Sequence, residues 1–197
     1  MQEMIKMVVV LTILTSFSGG LLAALKEGTK ERIEKQELEL VKGPTLRVIL
    51  EGASNDVTAD RFKVTDNEVE RNIFVGVFDG KPNTVAFETE ASGYADKVGL
   101  MVAFNIDEDK LAGVGVTTHK ETPGLGAKAK TDANFSKQFV GLPAADSVKV
   151  TKDGGGINAI GGATITSRAV CVGTSDAIEI YKKLKPKLVE GLKKFSK

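Results

Sequence analysis

Three hydroxyl side chains lie close together in the segment INAIGGATITSRAV (157–170). Thr164, Thr166 and Ser167 follow two glycines and an alanine, and the apolar spacing from Ser167 onward predicts a helix. The first turn of a helix has unpaired N–H groups and a partial positive charge, and small residues let an anion approach them. The segment therefore has two interpretations: the start of a helix capped by a hydroxyl, or a binding site for a phosphate group.

A second candidate segment, HKETPGLG (119–126), combines a carboxylate with a proline and two glycines. Taken alone, this composition predicts a turn between a strand and a helix. His119 is the only histidine of the sequence and Cys171 the only cysteine, so a disulfide within the chain and a Cys/His metal cluster are excluded. We predict no metal site, and a buried structural role for the thiol.

The composition does not indicate a nucleic-acid-binding protein. The sequence has 27 basic and 26 acidic residues, a formal net charge of +1, and no basic run with interleaved aromatic residues. Neither a P-loop nor a Rossmann glycine fingerprint is present. A chain of 197 residues has room for one domain with its own core and an appendage.

The N-terminal segment MVVVLTILTSFSGGLLAAL (7–25) carries no charge. As a helix it spans about 28 Å, close to the thickness of a bilayer core. We expect an uncleaved membrane anchor rather than a cleaved signal peptide, because no small-residue cleavage site precedes a plausible mature start. The flanking charges do not fix the orientation, since Lys26, Lys30 and Arg32 outnumber Lys6 on the other side.

Alternating apolar residues predict strands in the middle of the chain, joined by short connections that favour antiparallel pairing. The predicted strands are residues 71–79, 83–91, 96–106 and 110–119, with a further candidate at 147–153.

The helical predictions flank these strands. A helix over 26–42 continues the anchor and ends at Gly43-Pro44, and a short helix covers 132–141. A helix from Ser167 is broken by Pro186, after which a basic helix runs to Lys197.

The two candidate segments resemble motifs of a known protein family. INAIGGATITS resembles the flavinylation motif D-x-x-[ST]-G-A-T-x-[ST] of the FMN-binding subunits of Rnf and Na⁺-translocating NADH:quinone reductase complexes. HKETPGLG resembles that family's E-T-P-G-L-G loop, which packs beside the isoalloxazine ring, and GYADKVGLMV (93–102) resembles a third segment. The compact length is more similar to the G subunit of Rnf than to the longer C subunit of the quinone reductase.

The resemblance implies a cofactor and a set of site residues, with none of them catalytic. In the family, the threonine directly after Gly-Ala forms a phosphoester bond to FMN, and the matching residue is Thr164. The residues implied to line the phosphate and ribityl chain are Gly162, Ala163, Ile165 and Thr166. Those implied to form the ring-side loop are Glu121, Thr122, Gly124, Leu125 and Gly126. The resemblance further suggests Tyr94 stacked on the ring and Lys149, or alternatively Lys152, as a positive charge near it.

The sequence departs from the family motif at two places. Asn158 stands where the motif has aspartate, and Gly161-Gly162 stands where it has Ser or Thr before Gly-Ala. In the family, the aspartate is associated with recognition by the flavin transferase, which takes FMN from FAD with Mg²⁺. Because asparagine lacks the charge, we predict slower, incomplete or absent attachment in a heterologous host.

The resemblance implies a membrane-anchored subunit that passes electrons within an ion-translocating ferredoxin:NAD oxidoreductase complex, without a substrate site of its own. The other membrane subunits and a flavin transferase are the expected partners. The expected location is the cytoplasmic membrane, with a single span and the soluble domain on the extracytoplasmic side. Alternatives are a C-type subunit of the quinone reductase, a non-redox module for a phosphorylated ligand, and a flavin reductase with reversibly bound FMN.

The predicted fold class is α+β, with an N-terminal transmembrane helix before one FMN-binding domain that has a mostly antiparallel sheet and flanking helices. We expect the anchor over 1–26, a helical connector over 27–44 and the FMN-binding domain over 45–197.

Overall fold

The computed structural model describes residues 1–66 and 69–195. Two compact units are present, Met1–Glu39 and Leu40–Lys197. In the first, helix α1 spans Gln2–Glu37 and buries none of its residues. Helix α1 forms the first part of a helical stretch, Gln2–Ile49, which is the only one among the described residues that is long and apolar enough to cross a membrane. An exposed apolar surface of this length supports a single-pass membrane anchor.

The chain does not leave the helical conformation at the predicted Gly43-Pro44 boundary. A π-helical turn covers Leu38–Lys42, and helix α2 spans Gly43–Ile49. The predicted end is wrong because Pro44 lies in the first turn of α2, where its missing N–H has no helical partner to lose.

Five antiparallel strands form one sheet in which each strand pairs with the next along the chain. The strands are β1 Arg61–Asp66, β2 Val69–Phe78, β3 Lys81–Ser92, β4 Lys97–Asn105 and β5 Lys110–Thr118. Strands β2 to β5 confirm the four central predictions, whereas β1 was not predicted. The candidate strand at 147–153 is wrong: Val150 forms a single bridge with Ile157, and a 3-10 turn follows at Thr151–Asp153.

Helix α5, Thr164–Leu192, packs on one face of the sheet. Gly173 allows a close approach, because a Cβ there would lie 2.4 Å from Leu100 Cδ1. Further along, the ring of Tyr181 stacks on Phe104 with a centroid distance of 4.4 Å. These contacts hold the N-terminus of α5 at a fixed place relative to the strands.

Pro186 lies inside α5 and does not break it, contrary to the prediction. Leu188 and Leu192 beyond the proline are buried, and Gly191 packs against the ring of Phe62. This packing offsets the backbone hydrogen bond that proline removes. A 3-10 turn follows at 193–195, and the predicted end of the terminal helix at Lys197 lies outside the described residues.

Helix α2 covers the opposite face of the sheet. Its residues Thr45 and Ile49 lie against the glycines of β5, since Cβ atoms at Gly115 and Gly113 would lie 2.4 and 2.8 Å from them. The sheet is thus flanked by helices on both faces, which confirms the α+β fold class.

Two short helices join β5 to the rest of the unit, α3 at Lys128–Thr131 and α4 at Ala133–Lys137. Helix α4 confirms the predicted helix at 132–141 in a shorter form, with the Asp132 side chain accepting from Asn134 N. Buried Phe135 and Phe139 anchor this segment in the core.

Candidate functional site

Neither Thr166 nor Ser167 caps α5, so the interpretation of a hydroxyl-capped helix is wrong. The N-cap residue is Ala163, and no side chain caps the first turn. Thr166 Oγ1 instead donates to Glu121 Oε2 at 2.6 Å. Ser167 Oγ accepts from Ile160 N and donates to Ala163 O, both at 3.0 Å, which folds the preceding turn onto the helix.

Thr164 has the one available hydroxyl of the three. It is the first residue of α5 and half-buried, and its hydroxyl has no hydrogen-bond partner among the described residues. The first turn contains no acidic residue. A nucleophilic oxygen therefore lies beside the positive end of a helix dipole, with no carboxylate in that turn to repel an anion.

The glycines before α5 bring the two candidate segments together. Gly162 has φ +77°, a left-handed conformation that disfavours other residues, and Gly161 is exposed with open space at its Cβ position. A Cβ on Gly162 would lie 3.0 Å from Leu125 Cδ2. Leu125 and Ile165 are 45% and 48% exposed, so apolar side chains border the uncapped N-terminus of α5.

Glu121 joins three segments of the chain. It is 5% exposed, and its Oε1 accepts from Tyr94 N at 2.9 Å and from Ala95 N at 3.0 Å. Its Oε2 accepts from Thr166, as described above. Burial raises the pKa of the Glu121 carboxyl, but the hydrogen bonds from Thr166, Ala95 and Tyr94, with a smaller contribution from His119, bring that pKa below its usual value.

The rest of the segment 119–126 forms a tight turn after Glu121. Thr122 O accepts from the amides of Leu125 and Ala127, both at 3.2 Å, and Gly124 has φ +76°. Tyr94 is 71% exposed although its amide is engaged, so its ring is available at the surface beside this loop.

The structure does not link Lys149 or Lys152 directly to Thr164. Both lysines are exposed, and their charges help to lower the pKa of Asp153, behind the larger effect of its bond to Arg168. Asp153 accepts from Arg168 Nε and Nη2 at 2.6 and 2.7 Å, which ties the turn at 151–153 to α5. The role suggested for either lysine stays a prediction.

His119 and Cys171 are placed as neighbours of the site. The Nδ1 atom of His119 is buried without a hydrogen-bond partner in the described part of the chain. Cys171 is buried, and burial raises the pKa of its thiol to about 12, which agrees with a structural role.

Sequence reasoning missed the contacts of two residues near the site. Asn158 donates through its backbone N and its Nδ2 to Gln138 Oε1, at 2.8 and 3.1 Å, and Gln138 Nε2 donates to Asn158 O at 3.2 Å. The pair ties α4 to the segment before α5. Gly93 was missed as well: a Cβ there would lie 2.5 Å from Glu121 Oε1. Its place beside Tyr94 in the third resembling segment was the available signal.

The residues around Thr164 fit the phosphate end of a flavin cofactor. They offer an uncapped helix start, a free hydroxyl and a left-handed glycine that leaves open backbone on one side. Three exposed apolar or aromatic side chains, Tyr94, Leu125 and Ile165, offer a surface for a planar ring.

Comparison with known proteins supports this assignment. The family described as FMN-binding domain matches residues 93–179, which include both candidate segments. The C subunit of the Na⁺-translocating NADH-quinone reductase from Parabacteroides distasonis has a similar structure, with a TM-score of 0.58 and 22% identity over 77% of this chain and 95% of that one. NqrC of Shewanella oneidensis gives a TM-score of 0.53 and 22% identity, over 71% and 72%. At these identities the likeness shows the fold alone.

Sequence relatives define the family. The G subunit of the ion-translocating oxidoreductase complex of Methanosarcina acetivorans is 31% identical over 185 residues, 90% of this chain and 94% of the relative. The G subunit of the proton-translocating ferredoxin:NAD(+) oxidoreductase complex of Clostridium ljungdahlii is 33% identical over 172 residues, 86% of each. The chain therefore belongs to the family of G subunits of ion-translocating oxidoreductase complexes of the Rnf type, and it carries an FMN-binding domain.

Proposed function

We propose that this chain is the electron-transferring flavoprotein subunit of an Rnf-type complex and that its FMN is bound covalently through a phosphoester on Thr164. The observation that carries the proposal is the state of the three hydroxyls at the start of α5. Thr166 and Ser167 use theirs in buried hydrogen bonds, and Thr164 does not. Its position at an uncapped helix terminus suits a phosphate ester, whose charge the free N–H groups stabilise.

Attachment requires a flavin donor and a flavin transferase. Oγ of Thr164 forms a bond to the phosphorus of the FMN moiety of FAD, the pyrophosphate bond breaks, and AMP leaves. The hydroxyl proton is released to the leaving group or to solvent. The chain's own contribution is the exposed helix start that presents the oxygen.

The other residues of the site hold the cofactor. Backbone groups of Gly162, Ala163, Ile165 and Thr166 would hold the phosphate end, and the exposed side chains of Leu125 and Tyr94 would offer surface for the ring. When bound, the flavin supplies a carrier of electrons, and the protein tunes it through hydrogen bonds and nearby charge. We assign no NADH site to this chain, and electrons enter and leave through other subunits.

The N-terminal helix anchors the protein beside its partners in the cytoplasmic membrane, and we place the flavin-bearing unit on the extracytoplasmic side. Support comes from the family resemblance and the exposed apolar surface of α1. A reporter active only outside the cytoplasm, fused after Lys194, tests this orientation. Reporter activity in whole cells is expected, and activity confined to a cytoplasmic reporter contradicts it.

Covalent attachment is tested by co-expressing the full chain with a flavin transferase and examining fluorescence on a denaturing gel. We expect a fluorescent band for the wild type and for Thr164→Ser, and none for Thr164→Val. Trypsin cuts after Lys152 and Arg168, and the peptide 153–168 then carries the mass of FMN less one water. Fragmentation that places this mass on Thr166 refutes the assignment.

The same gel separates the alternative functions. Flavin that is present in the native protein but lost on denaturation favours reversible binding, as in a reductase. A colourless protein under every expression condition favours a module for another phosphorylated ligand.

A further inference from the structure

We propose that Glu121 is a positioning residue of this site and not a flavin contact: its carboxylate locks the first turn of α5 against two loops before the cofactor is attached. The inference rests on the proposed function, since it explains how Thr164 is presented for flavin attachment. It reassigns a residue that the family resemblance places at the flavin ring.

The carboxylate of Glu121 has no surface left for a ligand. Glu121 is 5% exposed and both of its oxygens already accept hydrogen bonds. The three donors come from two other segments, the β3–β4 loop with Tyr94 and Ala95 and the first turn of α5 with Thr166. A buried charge is stable only when it is paired in this way, so the loss of one of the three hydrogen bonds weakens the other two.

Two glycines make room for this carboxylate. A Cβ on Gly93 would lie 2.5 Å from Glu121 Oε1, and a Cβ on Gly126 would lie 2.6 Å from Glu121 Oε2. The Gly126 Cβ would also lie 2.8 Å from Thr166 Oγ1. Neither glycine has a positive φ. At Gly126 the three nearest atoms all belong to Glu121 and Thr166, so close packing around this carboxylate excludes a side chain there. At Gly93 the carboxylate contributes to the exclusion together with Val98 Cγ2 and Asp96 O, which would lie 2.7 and 2.8 Å from a Cβ.

The bond between Thr166 and Glu121 also sets the direction of Thr164. Residues two apart on a helix lie about 200° apart around its axis, so Thr164 and Thr166 lie on nearly opposite sides of the first turn. The bond from Thr166 to Glu121 fixes one side to the protein interior, which directs Thr164 outward. The hydrogen bonds of Ser167 Oγ with Ile160 N and Ala163 O tie the same turn to the residues that precede the helix.

The test compares Glu121→Gln, Thr166→Val and the double variant in the full chain in detergent. Glutamine keeps the shape but loses the charge. Its neutral oxygen is a weaker acceptor for the amides of Tyr94 and Ala95, and its NH2 group takes the place of the oxygen that accepts from Thr166. Valine removes the Thr166 donor. Tyr181→Phe is the matched control, since it also removes a hydroxyl–carboxylate bond from α5, to Asp109 at 2.7 Å, far from the site.

Two readouts are measured: amide hydrogen exchange of Tyr94 and Ala95 without flavin, and the initial rate of covalent flavin attachment. We expect faster exchange at both amides in Glu121→Gln and an attachment rate lower by on the order of ten- to a hundredfold, as for misplacement of a reacting group. Thr166→Val slows attachment in the same direction, the double variant is no slower than Glu121→Gln alone, and Tyr181→Phe attaches at the wild-type rate.

The outcomes separate the two proposals. Unchanged exchange at Tyr94 and Ala95 in Glu121→Gln overturns the positioning role whether or not flavin attaches. An attachment rate equal to wild type in Glu121→Gln, or an equal slowing in Tyr181→Phe, overturns it as well. Failure of the wild type to take up flavin covalently under any condition refutes the proposed function, and the exchange measurement then still decides the role of Glu121.

Discussion

Replacing Gly126 with alanine tests whether the site depends on the close packing around Glu121. The new Cβ would lie 2.6 Å from Glu121 Oε2, 2.8 Å from Glu121 Cβ and 2.8 Å from Thr166 Oγ1. All three distances are below any normal contact, and the neighbours are buried and hydrogen-bonded, so they do not move aside freely. We expect the bond between Thr166 and Glu121 to break or lengthen.

The magnitude follows from two contributions. Overpacking of a tight site costs about 1–3 kcal/mol, and a lost hydrogen bond to a charged group costs about 1.5–3 kcal/mol. Breaking the bond also relieves the clash, so the two costs do not add in full, and we expect the free energy of unfolding to fall by about 2–4 kcal/mol. Gly124→Ala adds only the left-handed penalty of about 1–2 kcal/mol at its φ of +76°. Gly161→Ala meets nothing within 4 Å and changes the stability by about 0.5 kcal/mol at most.

Cys171 provides the assay in the full chain. It is the only cysteine, it is 2% exposed, and it lies on α5 after the site, so a thiol reagent reaches it only when the unit opens. Each 1.4 kcal/mol of lost stability raises the labelling rate about tenfold. The expected increases are about 30- to 1000-fold for Gly126→Ala and at most about twofold for Gly161→Ala. Equal labelling rates for these two variants would refute the packing argument.

Three further predictions concern pH, the motif departure and the far end of α5. The pKa of Glu121 is lower in the folded chain than its usual value. The ionised carboxylate therefore stabilises the fold at any pH above the usual pKa, and this stabilisation is lost as the pH falls through the folded pKa. Thermal unfolding of Glu121→Gln should accordingly depend less on acid than that of the wild type. Asn158→Asp loses its Nδ2 bond to Gln138, at a cost of about 1 kcal/mol in urea unfolding, yet it restores the aspartate of the family motif and should increase flavin fluorescence on a denaturing gel. Tyr181→Phe should destabilise the chain by about 1.5–3 kcal/mol in urea unfolding, because a charged Asp109 loses a donor; no change in the unfolding midpoint would contradict this.

The central strands could be predicted from the sequence because their residues alternate between two faces of the sheet, one packed against α5 and the other against α2. Val114 and Val116 of β5 face the core under α5, whereas Gly113 and Gly115 lie under α2. Strand β1 escaped prediction, since RFKVTD has few apolar residues and only Val64 among them is fully buried. An edge strand with charged residues gives a weak signal.

Two local rules failed, one because of tertiary packing and one because of a glycine turn. Proline disfavours a helix interior, but the burial of Leu188 and Leu192 keeps α5 continuous through Pro186. The alternation at 147–153 predicts a strand, but Gly154, with φ +81°, turns the chain after one bridge. The burial of Leu188 and Leu192 is not visible within a short window of sequence, whereas Gly154 directly follows the predicted strand.

Part of the candidate site could be predicted from the sequence, and part could be seen only in the fold. Thr164 and the glycines before it stand in one segment, so their types and spacing identify them. The contact between Thr166 and Glu121 joins residues 45 positions apart, and only the fold shows that it leaves Thr164 as the available hydroxyl.

The openness of the site gives a physical reason for the proposed covalent bond. Ligand sites with high affinity bury most of the ligand's surface. Here the side chains offered to a ring are exposed, 71% for Tyr94, 45% for Leu125 and 48% for Ile165, so contacts alone give weak binding. An open site suits a carrier whose ring must come close to other subunits, but it lets a reversible cofactor escape between partners. The proposed phosphoester on Thr164 would make occupancy independent of affinity, and the site would then retain its flavin without enclosing it.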